Sequence, residues 1–206
     1  MADWDADSLQ LHDNLAQLLR RMRQDARRRD SPTVEDARRW HSEVMRNLQV
    51  PVPNPKFAGA FRGEAGLEDI QVLIAGRYGV AAPEVATELA HFEQILQQVI
   101  GRLDEWIPRD AELDTDQLAA IVEVCAWAHA EWVRIHPFAN GNGHTARLWV
   151  NSIAGRYGLP PFLRLRPLPA GAYGIASERA VLGDRAPTVA LFLELLANFA
   201  IDANRD

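Results

Sequence analysis

The chain has 206 residues, of which 48% are hydrophobic, so it can form one sizeable folded domain with a small extension. Its net charge of −6 argues against general nucleic-acid binding, which needs a basic surface. The single cysteine, Cys125, excludes an internal disulfide and lies in an apolar helical stretch, as expected of a buried side chain in a reducing compartment. No apolar run reaches the roughly 18 residues of a membrane span, and the acidic N-terminus lacks a signal core, so a cytoplasmic protein is expected.

The first 30 residues are predicted to form an extension built on one amphipathic helix. Leucines and a methionine recur at near-helical spacing over residues 8–29. The end of this helix carries a run of arginines, which favour the negative C-terminal end of a helix dipole. The alternative is that these arginines form a docking element for a regulator. Ser31-Pro32 marks a boundary, and residues 31–203 form the predicted main domain.

The next segment predicts a helix, a connector and a hairpin, in that order. Thr33 with Asp36 three residues later is typical of a helix start, and the helix is expected to run to about residue 47. Three prolines at positions 51, 53 and 55 predict a stiff extended connector. Residues 70–74 are the one convincing strand pattern in the sequence and indicate a small hairpin.

The second half of the chain is predicted to be helical. Helices are expected over residues 83–103, 114–135, 145–157 and 186–203. Pro83 suits a first turn, Asp114 or Thr115 suits a cap, and Gly158 suits the position after a helix. The sequence therefore predicts a mainly α fold, a helical bundle with a small β-hairpin.

One run of residues, HPFANGNGHTAR, separates two of these helices. Gly141 and Gly143 flank Asn142, and glycines permit backbone angles at which consecutive N–H groups converge on an anion. The helix that follows also favours a phosphate at its N-terminus. Arg147 can bind a second phosphate, and His136, with an ordinary pKa of about 6.5, can accept a proton from a hydroxyl. The run predicts transfer of a phosphate-linked group to a hydroxyl.

This run resembles the signature of the Fic (Fic/Doc) family, His-x-Phe-x-(Asp/Glu)-Gly-Asn-Gly-Arg-x-x-Arg. The matching positions are His136, Phe138, Gly141, Asn142, Gly143 and Arg147. Residues 57–62 with 70–74 are similar to the family's flap, and residues 127–135 to the helix that leads into the motif. Residues 158–161 and the last helix fit its C-terminal half. The resemblance implies a Fic-type helical bundle with a small β-hairpin flap, here over residues 31–203.

The resemblance also implies an activity, protein adenylyl transfer, in which AMP moves from ATP to a Ser, Thr or Tyr hydroxyl of a target protein. It makes His136 the general base and Phe138 a core anchor for the loop. The α- and β-phosphates would be held by Gly141, Asn142 and Gly143. The terminal phosphates would be bound by Arg147. The implied cofactor is Mg²⁺, and positioning and charge neutralisation carry most of such catalysis.

Two positions depart from the family pattern, and both belong to the expected phosphate site. Asn140 replaces the acidic residue that holds Mg²⁺, so it is a candidate ligand without a negative charge. His144 replaces the first arginine and offers one donor where a guanidinium offers five. These departures could mark another nucleotide, another phosphate-linked donor, or a catalytically weakened pseudoenzyme or binding module. Two further alternatives stay open: a Doc-like protein kinase, and a metal hydrolase built on His129, His136 and His144.

Partners and regulation follow from the resemblance. In the flap role, an extended target segment would pair along the hairpin edge and hold its hydroxyl over His136. Many Fic proteins are restrained by a helix carrying (Ser/Thr)-x-x-x-Glu-(Gly/Asn), and Ser31 to Glu35 followed by Asp36 is a near match. Because this match coincides with a predicted helix start, Glu35 is interpreted as a first-turn acid. A separate antitoxin-like inhibitor then supplies the glutamate, or the weakened phosphate site makes restraint unnecessary. No membrane partner and no direct nucleic-acid partner are expected.

Overall fold

The computed structural model describes residues 8–50, 52, 56–74, 76–169 and 171–203. Within these ranges the chain forms seven α-helices and one two-stranded antiparallel sheet. The elements are α1 Leu9–Arg28, α2 Val34–Val44, β1 Leu73–Ile74, β2 Arg77–Tyr78, α3 Val85–Trp106, α4 Thr115–Ile135, α5 Asn142–Arg156, α6 Tyr173–Val181 and α7 Ala186–Ala203. The predicted class, mainly α with a small β-hairpin, is confirmed.

Helices α4 and α5 form the centre of the bundle. They pack on each other, with α1 and α2 against α5, and α3, α6 and α7 against α4. Aromatic rings fill the space between them, and the ring centroids of Trp132 and Trp149 are 5.4 Å apart. Phe92 lies 5.6 Å from Trp132 and 5.2 Å from Trp149. Pairs at these distances stabilise the core beyond their buried area, so both ends of the α4–α5 connection are firmly held.

Side-chain caps start two of the helices where the sequence predicts them. Thr33 accepts a hydrogen bond from the backbone N–H of Asp36, and the Asp36 carboxylate accepts from the backbone of Thr33. Asp114 and Gln117 form the same reciprocal pair before α4. Each pair satisfies two N–H groups that have no partner within the helix. These local signals are the reason that both helix starts could be predicted.

Three details of the prediction are wrong. Helix α5 begins at Asn142, three residues before the expected start, because Gly141 adopts a left-handed backbone (φ 75°) at the N-cap. The strand over residues 70–74 is shorter, since only Leu73 and Ile74 pair with β2. Helix α6 was not predicted at all; it has nine residues and no side-chain cap, so it leaves little local signal.

Several other expectations can be placed. Cys125 is buried, and burial raises the pKa of its thiol, as expected for a structural side chain. Leucines of α1 belong to the same hydrophobic core as the rest of the bundle. The division of the chain into an extension (residues 1–30) and a main domain (residues 31–203) stays a prediction. The proposed proline connector and the acidic residues 1–7 lie outside the described ranges. Among the helices that are described, none is long and apolar enough to cross a bilayer.

Candidate active site

His136 ends α4 with a left-handed backbone (φ 52°, ψ 57°), which is uncommon for a residue other than glycine. Its Nδ1 atom lies 3.1 Å from the carbonyl oxygen of Val133. Because a carbonyl oxygen only accepts hydrogen bonds, Nδ1 carries the proton and Nε2 keeps its lone pair. Burial lowers the pKa of this imidazole to about 4. The ring is therefore neutral at pH 7 and able to accept a proton through Nε2.

Arg62 holds the turn that carries this histidine. The side chain is 1% exposed, and its hydrogen bonds within the described residues all go to backbone carbonyls: Nε to His136 (2.8 Å), Nη1 to Ile70 (3.1 Å), and Nη2 to Val80 (2.7 Å) and Ile135 (2.9 Å). Carbonyls at the end of a helix lack partners within it and carry the negative end of its dipole. Arg62 thus satisfies the end of α4 and ties it to the segments on both sides of the hairpin.

Asn142 and His41 close the loop between α4 and α5. The Asn142 side chain accepts from the backbone N–H of Phe138 (2.9 Å) and donates to its carbonyl (2.8 Å). His41 accepts from the N–H of Gly59 at Nδ1 (2.9 Å), so its Nε2 is protonated and donates to the carbonyl of Asn140 (2.9 Å). The His41 ring also stacks on Phe138 with centroids 3.7 Å apart. Burial lowers the pKa of His41 to about 4 and keeps it neutral.

Gly141 is required where the loop enters α5. Its φ of 75° is left-handed, and an added Cβ would lie 2.0 Å from Cε of Met45 and 3.1 Å from Nε2 of His41. The backbone N–H groups of Asn142 and Gly143 lie in the first turn of α5, where they have no acceptor within the helix. This helix start can bind an anion through its N–H groups and its dipole.

Arg147 lies one turn into α5, next to His144. Its Nη2 donates to Nδ1 of His144 (3.1 Å) and to the carbonyl of Leu165 (3.0 Å), and its Nε has no hydrogen-bond partner. A guanidinium can only donate, so Nδ1 of His144 is the acceptor in this contact. Both side chains are nearly buried, at 2% and 3% exposure. Within the described residues Arg147 has no carboxylate partner.

The structure gathers the predicted residues around one cleft of about 450 Å³. Its walls are the motif loop, the hairpin and Leu168, and they include His136, Asn140, Gly141, Asn142, Gly143, His144 and Arg147. Phe138 is fully buried in the core, as expected of an anchor. His129 lies elsewhere, with Nε2 2.7 Å from the hydroxyl of Tyr173. The described residues contain no group of three His, Cys, Asp or Glu that could hold a metal ion, so the hydrolase alternative has no support.

The donor set of the cleft does not fit a magnesium ion held by the protein. No carboxylate is among the described residues that line it, whereas Mg²⁺ prefers carboxylates together with phosphates and water. The Oδ1 atom of Asn140 already accepts the N–H of Gly141 (2.6 Å). One neutral oxygen with one lone pair left is a weak ligand, so the described lining residues do not supply the negative charge that a resident cation needs.

Sequence reasoning missed the roles of His41 and Arg62. Arg62 was included in the flap-like segment, but nothing marked it as the residue that fixes the end of α4. His41 carried no motif signal; its position on the apolar side of the predicted helix over residues 33–47 was the only available indication. Both act on backbone atoms far along the chain, 74 and 99 residues away.

The site combines a neutral imidazole with a helix start that can bind an anion, on a mainly helical bundle. The Fic/DOC family model matches residues 6–154. The chain belongs to this family.

Individual relatives agree with this assignment. The chain is 32% identical to protein adenylyltransferase fic-1 of Caenorhabditis elegans over 161 residues, which are 78% of this chain and 26% of that protein. It is 34% identical to protein adenylyltransferase Fic of Nematostella vectensis over 92 residues, which are 44% of this chain and 20% of that protein. The chain therefore corresponds to a minor part of the length of these relatives.

Solved structures show the same architecture. A fragment of Fic-1 from C. elegans superposes with a TM-score of 0.57 at 26% identity, covering 85% of this chain and 44% of that one. A Fic-domain-containing signaling protein from Bacteroides thetaiotaomicron gives a TM-score of 0.61 at 20% identity, covering 91% and 68%, and supports the fold alone.

Proposed function

We propose that this protein is an adenylyltransferase that moves AMP from ATP onto a hydroxyl group of a target protein. Nε2 of His136 accepts the hydroxyl proton, the oxygen bonds to the α-phosphorus, and the bond to the pyrophosphate oxygen breaks. The observation that carries the proposal is the tautomer of His136, fixed by Val133 with the Nε2 lone pair left free. A general base of this kind contributes about 10²- to 10⁴-fold to a rate.

The start of α5 is the proposed phosphate site. The N–H groups of Asn142 and Gly143 and the helix dipole favour negative charge there. Arg147 adds a guanidinium, the only one among the described residues that line the cleft. To bind terminal phosphates it exchanges its bond to Leu165 or uses its unpaired Nε. The side chain of Asn142 is hydrogen-bonded to the backbone of Phe138. Asn142 therefore contributes to phosphate binding only through its backbone N–H.

Magnesium enters this proposal with the nucleotide. Since the described residues that line the cleft include no carboxylate, the cation would be held mainly by phosphate oxygens and water, with Asn140 as the candidate protein ligand among them. It would neutralise phosphate charge there. The neutral donor set predicts that ATP binding depends less on Mg²⁺ than it would with an acidic residue at position 140.

The hairpin is the proposed binding edge for the target. Leu73 on β1 lines the cleft and is 63% exposed, and Tyr78 opposite it is 71% exposed. An extended segment can add to such an edge through main-chain hydrogen bonds, with side-chain pockets providing selectivity. We expect the modified residue of the target to be Ser, Thr or Tyr.

A separate antitoxin-like protein is the proposed regulator. Glu35 lies in the first turn of α2, is exposed and pairs with Arg38, so it does not line the cleft. Its interpretation as a first-turn acid is supported. A partner that places a carboxylate against Arg147 would bring the charge that the described residues do not supply.

Labelling with ATP tests the proposal. Target proteins in a lysate are incubated with ATP labelled at the α-phosphate and, in parallel, at the γ-phosphate. We expect α-label on a hydroxyl, a mass increase equal to AMP, and a loss of about 10²-fold or more with His136→Ala while ATP binding persists. Transfer of γ-label would instead show a protein kinase. Equal labelling by His136→Ala would refute the base assignment.

A catalytically weakened binding module is the second candidate. It is favoured by one observation: Arg147 is engaged with His144 and Leu165, in a cleft whose described lining residues include no carboxylate. The double variant Asn140→Asp/His144→Arg distinguishes this binding module from an active adenylyltransferase. A large gain in ATP affinity and labelling from an inactive parent supports the binding module, whereas an active parent with a small gain supports the enzyme.

A further inference from the structure

A second cavity, of about 610 Å³, lies at the opposite end of α5 from the cleft. Its walls are the C-terminal part of α1, the connection between α3 and α4, and the end of α5. Helix α5 has 15 residues and spans about 22 Å. The two sites share no lining residue. We call this site the arginine cavity, because Arg23, Arg27, Arg29, Arg109 and Arg156 line it.

The floor of the arginine cavity carries more positive than negative charge. The side chains of Arg29 and Arg156 are 11% and 5% exposed, and both pair with one carboxylate, that of Asp104. Asp104 also accepts from the hydroxyl of Tyr157 (3.1 Å). Nε of Arg29 and both Nε and Nη1 of Arg156 have no hydrogen-bond partner. Two nearly buried guanidinium groups against one carboxylate leave a surplus charge that is costly without a counter-ion.

The rim adds further positive charge. Arg23 and Arg27 are exposed, and within the described residues neither takes part in an ion pair. They lie four residues apart on α1, a spacing at which like charges destabilise a helix. Dipole stabilisation acts within the last turn, so it accounts for Arg27 but not for Arg23. One N–H group of Arg109 donates to the carbonyl of Arg28, at the end of α1.

The remaining wall is apolar and the size suits a small molecule. Leu19, Met22, Leu159 and Pro161 line the cavity beside the arginines. Ligand sites are typically about 300–1,000 Å³, mostly apolar, with a few charged groups that fix orientation. Asp110 is the one acidic residue among the described lining residues. An occupant that matches this surface has an apolar body and a concentrated negative charge.

We propose that the arginine cavity binds a small organic phosphate with an apolar or aromatic body. A phosphate monoester carries about −1.5 to −2 charge at pH 7. This charge is enough to neutralise the surplus positive charge of the floor and part of that of the rim. Arginine forks bind phosphate oxygens with two parallel hydrogen bonds. The site is distinct from the nucleotide cleft and does not depend on the adenylyltransferase proposal.

Titration with 1-naphthyl phosphate, followed by backbone amide NMR, tests this site. We expect saturable shifts at Gly155 and Gly158, which line the arginine cavity, and binding that weakens with added salt. Arg23→Gln/Arg27→Gln should weaken binding about tenfold or more. The control Arg20→Gln/Arg102→Gln removes the same charge from exposed positions outside the cavity and should change affinity less than about twofold.

Four results would contradict the proposal. Shifts confined to Gly141 and Gly143 would place the ligand in the cleft. Equal weakening by both double variants would show a nonspecific charge effect. Binding of a glutamate-rich peptide without any response to 1-naphthyl phosphate would make the cavity a docking site for an acidic protein segment. Inorganic phosphate should bind more weakly than the naphthyl ester, and equal affinity would contradict the role of the apolar wall.

Discussion

The motif loop between α4 and α5 and the hairpin beside it border the same cleft but are held in different ways. Between His136 and Gly143 the backbone is fixed by the buried side chains of Arg62, His41 and Asn142, each hydrogen-bonded at two or more points. The hairpin has two residues per strand and exposed side chains. A two-stranded hairpin is marginal by itself. In the proposed mechanism, proton transfer therefore takes place on a rigid support and partner recognition on an adaptable edge.

The strongest way to break the rigid support is Arg62→Met. This change removes four hydrogen bonds to carbonyls and leaves acceptors at the end of α4 without partners. The free energy of unfolding should fall by about 3 kcal/mol or more, measured by urea denaturation. Arg62→Lys keeps the charge but not the planar fork and should give a smaller loss. A fall below about 1 kcal/mol for Arg62→Met would show that the arginine does not carry the turn.

Acid should weaken the same support through its histidines. His41 and His136 have pKa values of about 4 in the folded protein, against about 6.5 in an unfolded chain. The unfolded state binds more protons between these values, so stability is lost as pH falls from about 6.5 to about 4, by roughly 3 kcal/mol per histidine. Urea unfolding at several pH values measures this slope. His41→Gln should flatten it, and an unchanged slope would contradict the buried neutral state.

A matched pair of asparagines separates stability from catalysis. Both asparagines lie on α5, and each side chain forms two hydrogen bonds with the backbone of one residue. Asn142 binds Phe138 in this way. Asn151 donates to the carbonyl of Leu163 (2.8 Å) and accepts from its N–H (3.1 Å). Each Ala substitution should lower the free energy of unfolding by about 1–3 kcal/mol. Only Asn142→Ala should also reduce target labelling, by about 10²-fold, because it displaces the loop beside His136. Similar labelling by both variants would contradict a special role for Asn142.

The smallest effects on stability are expected at the hairpin. Leu73→Ser changes a side chain that is 63% exposed and should alter the free energy of unfolding by less than about 0.5 kcal/mol. It should raise KM for the target protein and leave kcat nearly unchanged. Leu182→Ser, at an exposed leucine away from the cleft, is the control. If both variants behave alike with target, the hairpin is not the recognition edge.

The two regions also differ in how far the sequence predicts them. Caps at Thr33 and Asp114 and the apolar periodicity are local, so most helices could be placed from the sequence. The candidate site residues lie within one consecutive run, from His136 to Arg147. Their proximity could therefore be predicted without knowing the fold. His41 and Arg62 act on backbone atoms 99 and 74 residues away, and short α6 lacks a side-chain cap, so these features emerge only when the helices pack. The positively charged floor of the arginine cavity likewise joins three separate segments.

The state of the His136 ring in solution tests the central claim most directly. Nitrogen-15 NMR of the imidazole reports both the tautomer and the pKa. We predict a neutral ring at pH 7 with the proton on Nδ1 and a pKa of about 4. A pKa near 6.5 or above, or a proton on Nε2 at pH 7, would contradict the assignment of Nε2 as the proton acceptor.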